Sequence, residues 1–252
     1  MKNVRDKIIR SAGKAVADFG LIKDGDNILV GLSGGKDSYT MVDVLLALQK
    51  KAPIQFSLTG ITIDSGFEGF KGETIEYYCK EKKVPFIYKK ADILNIIKEH
   101  KNPRKSVCSF CARLRRGALY TFAAEHGYNK IALGHHADDF IETVLMNMFY
   151  SGSLKAMAPY HVADDKRNIV IRPLVYVFEE DIITYALQKK FPIICCVCPV
   201  SKGAESKRNR VKRLLRELQE ETPHIKSNIL NSLSNVAYSH LLAQKAVVGI
   251  VG

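Results

Sequence analysis

The sequence predicts an α/β protein, a doubly wound parallel sheet with a small C-terminal helical appendage. Short apolar runs alternate with stretches of helical periodicity through most of the chain, and strands alternating with helices imply parallel neighbours joined by crossovers. A glycine turn links the first apolar run to the helix after it, and past the last cysteines the pattern is purely helical.

Val4, Ile8, Ile9, Ala12, Ala15, Val16 and Phe19 recur at helical spacing up to Gly20, so the chain opens with an amphipathic helix. Residues 27–33 form an apolar run into a glycine turn, and residues 38–50 return to helical periodicity before Pro53. A strand over 54–63 and a helix over 73–82 repeat this unit; a strand over 85–89 and a helix over 92–100 follow. Beyond a cysteine-bearing segment, residues 130–134 read as a buried strand feeding a helix over 138–150. A glycine-bearing loop over 151–158 leads to a strand over 169–175, expected at the sheet edge because Pro173 cannot donate to a ladder. Helices over 179–190, 205–221 and 224–236 complete the pattern. The expected organisation is an N-terminal helix in residues 1–24, a main domain over 25–200 and a basic helical region over 201–252.

With 252 residues, 46% hydrophobic and 25% charged, the composition excludes disorder and collagen-like repeats. The net charge of +12 is concentrated: residues 98–116 and 201–216 each hold seven basic residues and one acid, and the rest of the chain is neutral. Two local patches aimed at phosphates explain that distribution better than a general solubility charge. No run approaches the ~18 apolar residues of a membrane span, and the N-terminus lacks a signal-peptide core, so a cytosolic protein without membrane contact is expected. The six cysteines, at 79, 108, 111, 195, 196 and 198, are too clustered for a disulfide framework and suggest metal or redox chemistry.

Between the first strand and its helix lies Ser33-Gly34-Gly35-Lys36-Asp37-Ser38. Two glycines allow close backbone approach to phosphate oxygens, the helix N-terminus adds partial positive charge, and the serines add hydroxyl donors. A Walker A loop is excluded because its first glycine would fall at Val30 and Asp37 stands where Ser or Thr should follow the lysine. The segment resembles the signature of the PP-loop ATP pyrophosphatase superfamily, whose members adenylate a carbonyl oxygen and let a nucleophile displace AMP. The resemblance implies that Ser33 to Ser38 hold the pyrophosphate end of ATP, and that Asp64, at the end of the second strand, makes nucleotide contacts; Asp64 also reads as a turn former.

Gly134-His135-His136-Ala137-Asp138-Asp139 repeats the strand-to-helix geometry. Two acids at a helix start are ordinary capping residues, but beside ATP they suit Mg2+, which takes one or two carboxylates plus substrate phosphates. Similar enzymes carry a G-H-x-x-D-D segment here, and the resemblance adds Gly134 and His135 to the nucleotide contacts.

Cys108-Ser-Phe-Cys111 has the gap that lets two sulfurs reach one metal, and Cys195-Cys196-Val197-Cys198 offers further thiolates. Both zinc and an iron–sulfur cluster suit such donors. Residues 107–120, with 131–139, 148–150, 169–174, 191–194 and 235–241, resemble the tRNA 2-thiocytidine synthetases over roughly residues 25–241. That family holds a 4Fe-4S cluster on three cysteines, which implies Cys108, Cys111 and Cys198 as ligands and a fourth iron that binds sulfur. The third-ligand stretch is one residue shorter than usual, so Cys196 is an alternative. Archaeal-type thiouridine enzymes are similar too, but carry extra zinc-finger cysteines that this sequence lacks.

The expected reaction is adenylation of O2 of a tRNA cytidine, cytidine 32 of the anticodon loop, followed by displacement of AMP by sulfur. Arg115 is expected either at the reacting centre or, with Arg113 and Arg116, on tRNA; Lys207, Arg208, Arg210, Lys212 and Arg213 are expected on the tRNA backbone. A cysteine desulfurase or inorganic sulfide would supply the sulfur, and a homodimer is one assembly open to the chain. Thiolation of a uridine is the nearest rival; a non-catalytic RNA-binding or redox-sensing protein leaves the phosphate loop beside Asp138 and Asp139 unexplained.

Overall fold

The computed structural model describes residues 3–99, 107–163, 166–194 and 206–242, with side chains from residue 110 onward in the second segment. They form two compact units. Of the described residues, 3–99, 107–137, 158–163 and 166–194 make up one, and 138–157 with 206–242 the other.

The first unit is built on a six-stranded sheet of order β3-β2-β1-β4-β6-β5. Its strands are β1 (Asp26–Gly31), β2 (Phe56–Asp64), β3 (Phe86–Lys90), β4 (Lys130–Ala132), β5 (Tyr160–Val162) and β6 (Ile169–Ile171). All neighbours are parallel except β5, which runs antiparallel to β6. Helices α1 (Val4–Asp18), α2 (Lys36–Gln49), α3 (Gly72–Glu81), α4 (Ile93–Glu99), α5 (Val107–Glu125) and α7 (Glu179–Lys189) complete it.

The winding follows from alternation along the strands. Leu29, Ile61, Ile63 and Ile131 form one core with Ile93 and Ile97 of α4 and Leu119, Phe122 and Ala123 of α5. The intervening residues face the other side, where Gly60 lies under Cys79 of α3: a Cβ on Gly60 would meet the Cys79 sulfur at 3.4 Å. The chain therefore winds outward from β1 to β3 on one face, then crosses by α4 and α5 to β4 on the other side of β1. Strand order reverses between β1 and β4, and ligands of such sheets bind in the crevice beyond the carboxyl ends of the strands at that point.

Two expectations are corrected. The strand carrying the Ile169 run is not at the edge: β6 lies between β4 and β5, and it ends at Ile171, so Pro173 falls outside the ladder. The cysteine-bearing segment, read without a helix of its own, enters a long one, α5.

The second unit contains α6 (Ala137–Ser151, from Asp138 on), α8 (Lys207–Glu221) and α9 (Ile225–Ser232), followed by a 3-10 turn at Tyr238–His240. Ser206 caps α8, its hydroxyl accepting from the Asn209 amide at 3.2 Å. Among the described residues no helix is long and apolar enough to cross a membrane.

Candidate functional site

Every residue of the phosphate loop falls at the switch point. β1 ends at Gly31, and α2 begins at Lys36 with Gly35 as its N-cap. Gly34 has φ +79°, a left-handed conformation that favours glycine. The loop is organised internally: the Gly35 amide donates to the Ser33 hydroxyl at 3.3 Å, and the Ser38 hydroxyl donates to the Gly35 carbonyl at 2.8 Å. Residue 194 fastens the loop from outside, its amide donating to the Gly34 carbonyl at 2.9 Å.

Lys36 is half-buried between two carboxylates, 3.0 Å from Asp37 and 2.9 Å from Glu179 at the start of α7. Burial pulls its pKa down, but Asp37 and Glu179 outweigh that and hold it above the usual lysine value. Glu179 is a partner that sequence reasoning missed; its only signal was the acidic first turn of that helix.

The strand-to-helix turn after β4 lies against the same place. Gly134 packs on the backbone of Asp37 and Ser38, and His136, 4% exposed, sets Nε2 3.8 Å from the Asp37 carboxylate. Asp64 acts at least as a turn former: its carboxylate accepts from the Gly66 amide at 2.9 Å and from the Tyr88 hydroxyl.

Beside the loop a cavity of about 300 Å³ opens, walled by Leu32, Ile61, Ile63, Leu119 and Leu133, with Ser33, Arg115, Arg116 and His135 supplying its polar groups. An apolar slot with a few polar groups, next to an anion cradle, can hold a planar base with its phosphates on the loop. Arg115 and Arg116 thus share the cavity, whereas the Arg113 guanidinium lies 5.2 Å over the Phe110 ring.

Cys108 and Cys111 stand one turn apart at the start of α5, and the following turns of the same helix supply Ala112, Arg115 and Leu119 to the cavity wall. Thiolates at that spacing fit a shared metal centre. Cys195, Cys196 and Cys198 lie outside the described residues, and among the described residues no three metal-ligating side chains cluster.

In the second unit the acidic pair of α6 meets cations. Asp138 pairs with Lys226 at 2.9 Å, and Asp139 lies 3.6 Å from Arg208. Arg208 and Lys212 of α8 also reach Glu142, at 3.2 and 3.4 Å; Glu142 is 2% exposed. Burial raises the Glu142 pKa, against the pull of Lys212 and Arg208. Lys207 lies 4.7 Å over the Tyr150 ring, Arg213 pairs with Glu217 at 3.9 Å, and Arg210 is exposed. The basic helix is therefore partly an internal clamp and partly open surface.

The model of one family, described as the PP-loop domain, matches residues 4–218. A tRNA-cytidine(32) 2-sulfurtransferase from Geobacter sulfurreducens is 50% identical over 241 residues, covering 95% of this chain and 94% of the relative. Its counterpart from Geobacter metallireducens is 50% identical over 236 residues, covering 94% and 92%. Among solved structures, the U34-tRNA thiolase NcsA from Methanococcus maripaludis, determined with its 4Fe-4S cluster, superposes with a TM-score of 0.75 at 24% identity, covering 96% of this chain and 84% of that one.

Proposed function

We infer that this chain, which belongs to the PP-loop family and within it to the tRNA-cytidine(32) 2-sulfurtransferases, uses ATP to replace O2 of cytidine 32 in tRNA by sulfur. In the first step O2 attacks the α-phosphorus, an O–P bond forms, the bond to the β-phosphate oxygen breaks and pyrophosphate leaves. In the second a sulfide equivalent adds at C2, the C2–O bond breaks, and AMP departs with the oxygen, leaving 2-thiocytidine.

The observation that carries this reading is the convergence, within one unit, of the phosphate loop, the Gly134–His136 turn and the α5 wall on one cavity. The loop amides, the α2 N-terminus and Lys36 hold the pyrophosphate end and stabilise charge that develops on it. Arg115 and Arg116 face the remaining polar wall, where RNA or the α-phosphate arrives. Asp138 and Asp139, which pair with Lys226 and lie near Arg208 in the structure, would hold Mg2+, which would supply neutralisation of the phosphate charge. Cys108, Cys111 and Cys198, with Cys196 the alternative third ligand, would hold a 4Fe-4S cluster, which when bound supplies the site for the incoming sulfur. The open part of α8, with Arg210 and Arg213, and Arg113 on α5 grip the tRNA backbone.

The test is anaerobic purification with iron and sulfide analysis of the wild type and of Cys108→Ala, Cys111→Ala, Cys196→Ala and Cys198→Ala, followed by nucleoside analysis of treated tRNA. About four irons per chain, lost in three of the variants, with ATP-dependent 2-thiocytidine at position 32, is expected. Stoichiometric zinc without iron would sink the cluster, and 2-thiouridine would move the reaction to another base. Sulfide with and without a cysteine desulfurase identifies the donor.

A further inference from the structure

Arg172 follows β6 directly and is only 8% exposed. Its backbone amide donates to the Pro159 carbonyl at 2.9 Å and its Nη1 donates to the Ala158 carbonyl, so the residue is held at its main chain and at its guanidinium group. Its Nε–H points at Nδ1 of His135, 3.2 Å away. An arginine keeps its protons at any working pH, so Nδ1 must present a lone pair, and a neutral imidazole then carries its proton on Nε2. A doubly protonated ring would set N–H against N–H and put two cations in contact in a buried place. Among the described residues no carboxylate lies within ion-pair distance of Arg172, and burial, with Arg116 close enough to repel it, lowers its pKa. His135 meanwhile lines the cavity with Arg115 and Arg116. A ring donor beside two guanidinium groups suits an oxyanion.

We propose that Arg172 is a positioning residue that fixes His135 as the Nε2–H tautomer, so that the imidazole donates a hydrogen bond to a phosphate oxygen of the nucleotide bound in the cavity. The proposal rests on the ATP-binding reading above and adds the residue that sets the proton.

The experiment is 15N NMR of the histidine side chains in the anaerobically purified full-length protein, with His135 assigned by the signals lost in His135→Gln. A pyridine-like Nδ1 and a pyrrole-like Nε2 are expected at rest, with Nε2 moving on addition of ATP and Mg2+. In Arg172→Lys the two nitrogens should shift toward a tautomer mixture. His135→Asn should raise the KM for ATP about tenfold or more, and His135→Gln, whose amide reaches the Nε2 position, should restore most of that loss. A pyridine-like Nε2 in the resting wild type overturns the proposal, as does an Nε2 signal unmoved by saturating ATP or moved by tRNA alone. The wild-type spectrum decides even if Arg172→Lys does not fold. A protein that shows the tautomer and the ATP shift but does not thiolate tRNA would refute the reaction and leave this assignment standing.

Discussion

A Cβ added to Gly134 would stand 3.2 Å from the carbonyl carbon and oxygen of Asp37 and 3.3 Å from the Ser38 amide nitrogen. The neighbours are backbone, so accommodating even a methyl group moves the first turn of α2 by a few tenths of an ångström. Gly134→Ala should cost about 1 kcal/mol of stability and weaken ATP binding, and Gly134→Val should abolish binding. Calorimetric titration with ATP beside a thermal melt separates the two effects.

Lys36 is held by Asp37 and Glu179 with its pKa above the usual 10.5. A lysine raised in the folded state contributes stability that is fully present below its unfolded value and is lost as pH rises through the folded one. Glu179→Gln should therefore destabilise by up to about 1 kcal/mol at pH 8, discounted for partial exposure, and the difference should vanish in strongly alkaline denaturant titrations. Lys36→Met should abolish AMP formation while tRNA binding persists.

Cys79 is fully buried under Gly60, and burial pushes its thiol pKa up to about 12. Thiolates are the reactive species. In the native protein, mass spectrometry after iodoacetamide treatment at pH 8 should find Cys79 unmodified, and its labelling should appear only on unfolding.

The basic residues of α8 should divide into two classes. Arg210→Ala and Arg213→Ala should each lower the salt slope of tRNA binding by about one and leave the melting temperature unchanged. Arg208→Ala and Lys212→Ala should destabilise by about 1–2 kcal/mol, because the buried Glu142 loses a partner. Glu142 is raised above its usual 4.5, so between that value and its folded pKa the native state binds the extra proton and this group's contribution to stability falls as pH rises. Glu142→Gln should flatten that part of the stability profile measured by urea titration.

The phosphate loop was legible in the sequence because its demands are local: a glycine at positive φ and an N-terminus for α2 can be read from six consecutive residues. The reversal of strand order was legible as alternation alone. α5 was hidden because Arg113, Arg115, Arg116 and Gly117 interrupt the apolar stripe of Leu114, Leu119, Phe122 and Ala123. β5 was hidden for a different reason: its three residues gain strand structure only by pairing with β6 across the chain. The same distinction separates the residues of the site. Lys36 could be named from its neighbours, whereas the partners that orient it and His135, namely Glu179 and Arg172, are 143 and 37 positions away and become visible only in the fold.

Gly34 is fastened by Ile194. A Cβ on Gly34 would stand 2.8 Å from the Ile194 side chain, and the two backbones share a hydrogen bond. The next residue in the chain is Cys195, the first of the late cysteines. Any ligand that shifts the Gly34 carbonyl must strain or release this junction, and by reciprocity any change that pulls on residue 194 alters the affinity for that ligand by the same factor. If the loop takes the phosphates as proposed, filling it and displacing residue 194 are coupled through this contact, and a substitution at Ile194 should change the affinity for ATP.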